Sequence, residues 1–235
     1  MTFAYPFLFS SLMAILVAAG SRPAMVPAAS DPLPGPPSGA IKLPQPVRDG
    51  ETSLEKTLQE RRSIRQYKNA PISLSDLSQL LWAAQGISGS GGRRTAPSAG
   101  ALFPLEIYVI AGKVTGLSAG VYAYNPHKHE LSRVAEGDAR TELSKAALGQ
   151  SSIKNAPAVL VLSSVYERTT VKYGERGIRY VHMEAGHAAQ NIYLQAAALN
   201  LGTVVIGAFD DDGIGKVLHM TGREHPLYLM PVGKT

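Results

Sequence analysis

The spacing of apolar and polar positions divides this chain into helical and extended segments. From residue 74 to 84, apolar side chains recur at 74, 77, 80, 81 and 84, which places them on one face of a helix. Ser73-Leu74-Ser75-Asp76 resembles a capping box at its start, and the glycines between residues 86 and 92 end it. Continuous apolar runs instead predict buried strands at Leu105–Ala111 and Ala158–Ser163.

The same patterns predict further elements across the rest of the chain. These are a helix carrying Leu54 and Leu58 and ending near Arg62, a strand Val121–Tyr124 with a turn at Asn125-Pro126-His127, an alanine-rich helix His182–Leu201 closed by Gly202, a strand Thr203–Ile206, a helix Asp211–Met220 and a strand Leu227–Val232. Helices and strands are mixed without regular βαβ alternation. The pattern therefore predicts an α+β fold in which helices pack over a sheet.

The N-terminal residues 1–24 are predicted to be a signal peptide. No charged side chain occurs in residues 1–20, Phe7–Ala19 is apolar, and small residues follow. The run is shorter than the about 20 apolar residues that a membrane-spanning helix needs. Because no Lys or Arg precedes it, a membrane-proximal segment that is not cleaved and a misassigned start codon remain as alternatives. A signal peptide predicts an exported, periplasmic protein, and a cytoplasmic location is the alternative.

Residues 25–50 are predicted to be a proline-rich linker, or an arm lying on the domain surface. Half of the sixteen prolines fall between residues 21 and 50, and such a segment favours extended conformations that form no core. The folded domain is therefore predicted to span residues 51–235.

Charge and composition narrow the function classes. The net charge of +5 among 235 residues suits an anionic ligand such as a phosphate. It is too small and too scattered to indicate nucleic-acid binding. The absence of cysteine excludes disulfides, thiolate metal sites, iron–sulfur clusters and a cysteine nucleophile.

Three motifs carry the candidate chemistry. Arg61-Arg62-Ser63-Ile64-Arg65 follows a helix, and its arginines and hydroxyl can bind a phosphate and a polyol; a solvated basic helix end is the alternative. In Arg93–Ile110, a basic loop with small residues at 96 and 98 to 101 leads into a strand. It allows a backbone to approach a flat ligand, and its two arginines could meet an anion; an ordinary surface loop is the alternative.

The third motif is Lys172-Tyr173-Gly174. A lysine can serve as a general base when burial and cationic neighbours lower its pKa. A surface lysine beside a packing tyrosine is the alternative.

Other motifs are rejected as sites. Glu184-Ala185-Gly186-His187 has the Glu-x-x-His spacing of di-iron bundles, but those sites need two copies and more carboxylates, so we predict no metal. Gly233-Lys234-Thr235 is not a phosphate-binding loop because no helix follows it. Gly89-Ser90-Gly91-Gly92 follows a helix rather than a strand and is not a dinucleotide fingerprint.

Taken in order, the three motifs resemble the FMN-dependent nitroreductase superfamily, and more narrowly its SagB-type branch, which oxidises azoline rings in peptides. The resemblance covers about residues 51–235. It implies a nitroreductase-like three-layer sandwich with a central mixed sheet, assembled as a homodimer whose core contains the helix with Gly186.

The resemblance also implies roles for individual residues. Arg61, Arg62, Ser63 and Arg65 would hold the phosphate and ribityl chain of FMN, with Lys234 against the phosphate. Pro97, Ser98, Ala99 and Gly100 would pack on the flavin ring, usually from the partner subunit. The turn at Gly207 and Ala208 would present a backbone N–H to flavin N5, although the acidic residue common at the place of Gly207 is missing.

In the same resemblance, Lys172 and Tyr173 would remove a proton while the flavin takes a hydride. The implied function is an FMN-dependent oxidoreductase acting on a small-molecule or peptide azoline. The alternatives are a nitro or quinone reductase fed by NAD(P)H, and a flavin-binding protein without turnover.

Overall fold

The computed structural model describes residues 39–235, so the predicted signal peptide and residues 25–38 of the predicted linker lie outside the described residues. The strands are β1 (Ile41–Lys42), β2 (Ile72–Ser73), β3 (Leu105–Ala111), β4 (Val114–Thr115), β5 (Gly120–Asn125), β6 (Glu130–Glu136), β7 (Ala158–Ser164), β8 (Leu201–Thr203) and β9 (His225–Lys234). The helices are α1 (Leu54–Glu60), α2 (Leu74–Gln85), α3 (Arg140–Ala146), α4 (Ser151–Asn155), α5 (Glu167–Tyr173), α6 (Arg176–Ala198) and α7 (Asp211–Val217).

Seven strands form the central sheet, in the order β1-β6-β5-β3-β7-β9-β8. Neighbouring strands in this order pair antiparallel. A parallel bridge between Ser63 and Thr203 of β8 joins the segment after α1 to the edge of the sheet and makes it mixed. A separate pair, β2 with β4, is parallel.

Helices cover both faces of the sheet. On one face, alternate residues of β3 such as Ile107 and Val109 pack with α2 and α6. On the other face, Tyr108 and Ile110 pack with side chains of α3, α4 and α7. Since side chains of a strand alternate between faces, a strand buried on both sides reads as the continuous apolar run that predicted β3. The three-layer α+β arrangement is confirmed.

The start of α2 is confirmed in detail. The Ser73 hydroxyl accepts the Asp76 N–H, and the Asp76 carboxylate accepts the Ser73 N–H, which completes the capping box. The N-terminal arm contacts this helix, since the Val47 N–H donates to Gln79 Oε1 at 2.8 Å. Ile41 and Lys42 pair with β6, so the ordered fold begins before the predicted boundary at Glu51.

The prediction for the end of α6 is wrong. The helix ends at Ala198, Asn200 takes the left-handed conformation (φ 56°), and Gly202 lies within β8 rather than capping the helix. Asn is the residue that most readily replaces glycine in this role. The helix also begins earlier than predicted, at Arg176. Gly174 (φ 56°) separates it from α5. The start was missed because the residues of its first turns are polar and obscure the apolar spacing.

Within residues 39–235, no helix is both long and apolar enough to span a membrane.

Candidate active site

The basic motif after α1 is fixed against the end of the sheet. The Ile64 N–H donates to the Thr203 carbonyl at 2.9 Å, and the Lys68 N–H donates to the Lys234 carbonyl at the same distance. A side chain on Gly202 would meet Ile64 at 2.7 Å, so glycine is needed at this crossing. The backbone of this segment therefore brings the first motif and Lys234 to one edge.

Tyr193 of α6 organises this edge, and no motif in the sequence singles it out. Its hydroxyl lies 3.0 Å from Ser63 Oγ and accepts the Val205 N–H at 2.8 Å. The Arg61 guanidinium lies over its ring, 5.2 Å from the centroid. This tyrosine therefore positions the hydroxyl and the first arginine of the motif together.

The other cations of the first motif differ in their contacts. Arg65 and Lys234 are exposed, where they can meet a phosphate. The Arg62 guanidinium donates to the Gln59 and Arg61 carbonyls at the end of α1, as the helix-end interpretation predicts. Its role as a cofactor ligand stays a prediction.

The turn after β8 offers a backbone donor. Ile206 pairs with Leu229, and the chain then leaves the sheet at Gly207 and Ala208, which are both exposed. Among the described residues, no acceptor takes the Gly207 N–H. An exposed, unpaired N–H suits a ligand acceptor such as a ring nitrogen.

Lys172 and Tyr173 meet the small-residue loop at Gly100. A Cβ on Gly100 would lie 2.8 Å from Tyr173 Oη and 3.0 Å from Lys172 Nζ, so both functional atoms reach the same point of the loop. Gly100 also has φ 63°, which disfavours any other residue. Lys172 is exposed and Tyr173 half-buried, so the burial of Lys172 that the general-base interpretation assumes is not present in this chain. Tyr180 packs edge-on against Tyr173 at 5.2 Å between centroids.

The loop from Pro97 to Phe103 is strained. Ala101 (φ 55°) and Phe103 (φ 45°) adopt left-handed conformations, which are unusual for residues other than glycine and often occur at functional sites. Ser98 Oγ accepts the Phe103 N–H at 2.9 Å, and Arg168 donates to the Phe103 carbonyl. These contacts hold the conformation against its strain.

The two arginines before this loop separate. Arg93 is exposed, but Arg94 packs over the Phe103 ring at 4.4 Å and donates to Gln85 Oε1 at 2.9 Å. Burial lowers the pKa of Arg94, and the nearby Glu106 is the largest opposing influence. Arg94 therefore supports the loop from inside, and the expectation that both arginines face an anion is wrong for this residue. In the rejected metal motif, Glu184 is buried and His187 exposed.

These residues form two groups. The first contains Arg61, Ser63, Arg65 and Lys234 at the edge of the sheet, and the second contains Lys172, Tyr173 and Pro97–Gly100. No hydrogen bond or ion pair in residues 39–235 joins one group to the other. The exposed cations match a phosphate monoester and the free Gly207 N–H matches a ring acceptor, so the residues fit FMN.

Comparison with known proteins agrees with the fold. The nitroreductase family profile matches residues 58–234. A Methanocaldococcus jannaschii protein named as a nitroreductase is 50% identical over 184 residues, which cover 78% of this chain and 92% of that protein. The microcin B17-processing protein McbC of Escherichia coli is 29% identical over 158 residues; the match covers 65% of this chain and 58% of McbC.

Solved structures show the same fold. A protein from Ralstonia eutropha described as a nitroreductase superposes with a TM-score of 0.74 at 32% identity, covering 86% of this chain and 94% of its own. The E. coli microcin synthetase McbBCD complex (TM-score 0.65, 22% identity, 96% and 84% covered) and the NADPH:FMN oxidoreductase of Vibrio harveyi (0.57, 20%, 77% and 68%) share the fold. The chain therefore belongs to the nitroreductase family, a family of oxidoreductases.

Proposed function

We propose that this protein is an FMN-dependent dehydrogenase that oxidises azoline rings of a small molecule or peptide. The observation that carries the proposal is the convergence of Lys172 Nζ and Tyr173 Oη at Gly100. Two proton-accepting side chains at the loop expected to pack on the flavin suit a reaction that removes a proton and a hydride from one ring. The match to McbC, which is named as a microcin B17-processing protein, supports this substrate class.

The reaction converts an azoline to an azole by forming one ring double bond. One ring carbon loses its hydrogen with the bonding electron pair, as hydride, and the neighbouring carbon loses its hydrogen as a proton. When bound, FMN supplies the two-electron acceptor for the hydride. Lys172 as the free amine, or Tyr173 as the phenolate, takes the proton, and the strained loop fixes the position at which the ring must lie.

The cofactor contacts follow from the first group. Arg61, Arg65 and Lys234 supply positive charge for one phosphate, and Ser63 supplies a hydroxyl for the polyol chain. The Gly207 N–H is available for a flavin ring acceptor. Gly207 has no carboxylate to contribute. A Cβ at this position would meet nothing closer than 4.0 Å, so the fold has space for an acidic side chain that this sequence does not use.

A nitro or quinone reductase fed by NAD(P)H is the second candidate. It is favoured by the name of the M. jannaschii relative, and the Vibrio harveyi protein of the same fold is an NADPH:FMN oxidoreductase. The two candidates differ in the reductant: rapid bleaching of bound flavin by NADPH indicates the reductase, whereas bleaching by a thiazoline- or oxazoline-containing peptide indicates the dehydrogenase.

The purified protein should be yellow and should release FMN rather than FAD. The first group has cations for one phosphate, and the sequence contains no dinucleotide fingerprint. Denaturation followed by chromatography of the released flavin checks this prediction, and FMN titration by fluorescence quenching checks protein isolated without flavin. A protein that neither carries nor binds FMN would contradict the proposed function.

We further propose a homodimer in which each flavin contacts both subunits. Leu54 (58% exposed), Leu58 (52%) and Met183 (51%) leave apolar surface on α1 and α6, where a partner can cover it. Gly186 of α6 has no atom within 4 Å of its Cβ position, so the helix is open to close approach at this point.

Replacing Gly186 by Leu should therefore separate the subunits without unfolding them. Gly is about 0.8–1 kcal/mol less favourable than Ala within a helix, and Leu ranks just below Ala. The protomer should therefore keep its melting temperature while light scattering shows half the mass and flavin is lost. Gly215→Leu in α7, where the Cβ position is equally open, is the matched control and should stay dimeric. A Gly186→Leu dimer that retains FMN would place the interface elsewhere.

A further inference from the structure

Glu184 lies directly beneath the strained loop. The residue is 2% exposed, and it belongs to α6, the helix that packs under residues 94–103. No step of the proposed reaction uses it. A buried carboxyl group without a positive partner in contact is costly, so its position needs an explanation.

The contacts of Glu184 lead to the loop. Gln85 Nε2 donates to Glu184 Oε1 at 3.4 Å. The other end of the same side chain, Gln85 Oε1, accepts a hydrogen bond from Arg94. Glu184 Oε2 has no hydrogen-bond partner in the described chain. The Ser98 hydroxyl interacts with this carboxyl group, and since Ser98 Oγ already accepts the Phe103 N–H, its own proton is free to point towards Glu184.

This arrangement bears on the strain at Phe103. A left-handed phenylalanine persists only where its surroundings fix it, and the bond from its N–H to Ser98 Oγ is one of the restraints. The Ser98 hydroxyl can hold one orientation only if its proton has an acceptor. Glu184 is the side chain placed to be that acceptor.

We propose that Glu184 is a positioning residue: it orients the Ser98 hydroxyl, which holds the Phe103 turn and so sets the shape of Pro97–Gly100. This inference deepens the proposed function, since it concerns the loop assigned there to the flavin ring. Glu184 does not contact the reacting atoms and acts through Ser98.

The charge on Glu184 is expected to modulate this role. Burial raises the pKa of its carboxyl group to about 7, against the opposing effects of Ser98, Gln85 and Arg94. Arg94 is the charged group facing it from the loop, with Glu106 and Arg168 beyond. The pKa in the folded state exceeds the ordinary 4.5. The contribution of this carboxyl group to the free energy of unfolding is therefore complete below about pH 4.5 and is lost as the pH rises through about 7.

Hydrogen exchange at the Phe103 amide tests the proposal without any cofactor. Glu184→Ala should speed exchange about tenfold, the effect of losing a hydrogen bond of ordinary strength, and should add nothing in a Ser98→Ala background. Glu184→Gln keeps the shape and an acceptor oxygen, so it should exchange more slowly than Glu184→Ala.

Exchange in Glu184→Ala as slow as in the wild type, or an effect of Glu184→Ala that is undiminished in the Ser98→Ala background, would overturn the proposal. Glu184→Met, which keeps the length of the side chain without an acceptor oxygen, takes the place of Glu184→Ala if that variant does not fold. FMN affinity, measured on the same proteins, should follow the Phe103 amide. Failure of the wild type to bind FMN would reject the proposed function, while Phe103 exchange would still decide the role of Glu184.

Discussion

Lys172→Ala should lower the rate of azoline oxidation by about 10²–10⁴, the usual contribution of a general base, while the flavin stays bound. The Lys172 side chain reaches Gly100 and contacts no residue of the first group, so its loss should not disturb the cofactor cations. The measurement is turnover of a thiazoline- or oxazoline-containing peptide with dioxygen as electron acceptor. The flavin absorbance of each sample gives the amount of loaded enzyme.

Tyr173→Phe separates two mechanisms. If the Tyr173 hydroxyl only orients the lysine, its loss should cost less than the loss of Lys172; if tyrosinate is the base, the two losses should be equal. Chemical reduction of the flavin by dithionite needs no base and serves as the control in both variants. Full azoline oxidation by Lys172→Ala would remove the pair from the mechanism and favour the NAD(P)H-dependent reductase.

Arg61→Ala should weaken FMN binding by about 1.5–3 kcal/mol, the range for hydrogen bonds to charged groups. Arg61 is held over the Tyr193 ring, and the same tyrosine contacts the Ser63 hydroxyl, so its guanidinium lies at the edge of the sheet to which the proposal assigns the phosphate. Arg61→Lys should restore binding only in part, because an ammonium group cannot make the paired contacts of a guanidinium.

Fluorescence titration with FMN measures this effect, and Lys56→Ala is its charge-matched control. Lys56 lies on α1, is exposed, and makes only a surface ion pair of 4.0 Å with Glu60, which contributes little. Equal FMN affinities for Arg61→Ala and Lys56→Ala would assign Arg61 to the helix end.

The sequence predicted the elements that depend on local signals. The capping box at Ser73 and the continuous apolar runs of β3 and β7 each contain the information that forms them. Strand β6 was not predicted, because Glu130, Arg133 and Glu136 give it little apolar character; it forms since β1 and β5 pair on either side of it. The helices α3, α4 and α5 are short and were not predicted for the same reason.

The candidate site was predicted as separate motifs but not as an arrangement. The meeting of Lys172 and Tyr173 with Gly100 joins positions more than seventy residues apart, and no local pattern encodes that. Tyr193 could not be selected at all, and Glu184 was noted only within the rejected metal motif, because a tyrosine or glutamate within a long helix is ordinary. Only their neighbours in space, Ser63 for one and Ser98 for the other, give them a role.

The position of β9 within the sheet has a consequence for biosynthesis. This strand, made of residues 225–234, is the last of the strands in residues 39–235 to be synthesised, yet it lies between β7 and β8 rather than at an edge. Until these residues leave the ribosome, both neighbouring strands have an unpaired edge, which is a template for association with other chains. Completion of the sheet, and of the cation site that includes Lys234, must therefore wait for the end of the domain, and aggregation competes with folding until then.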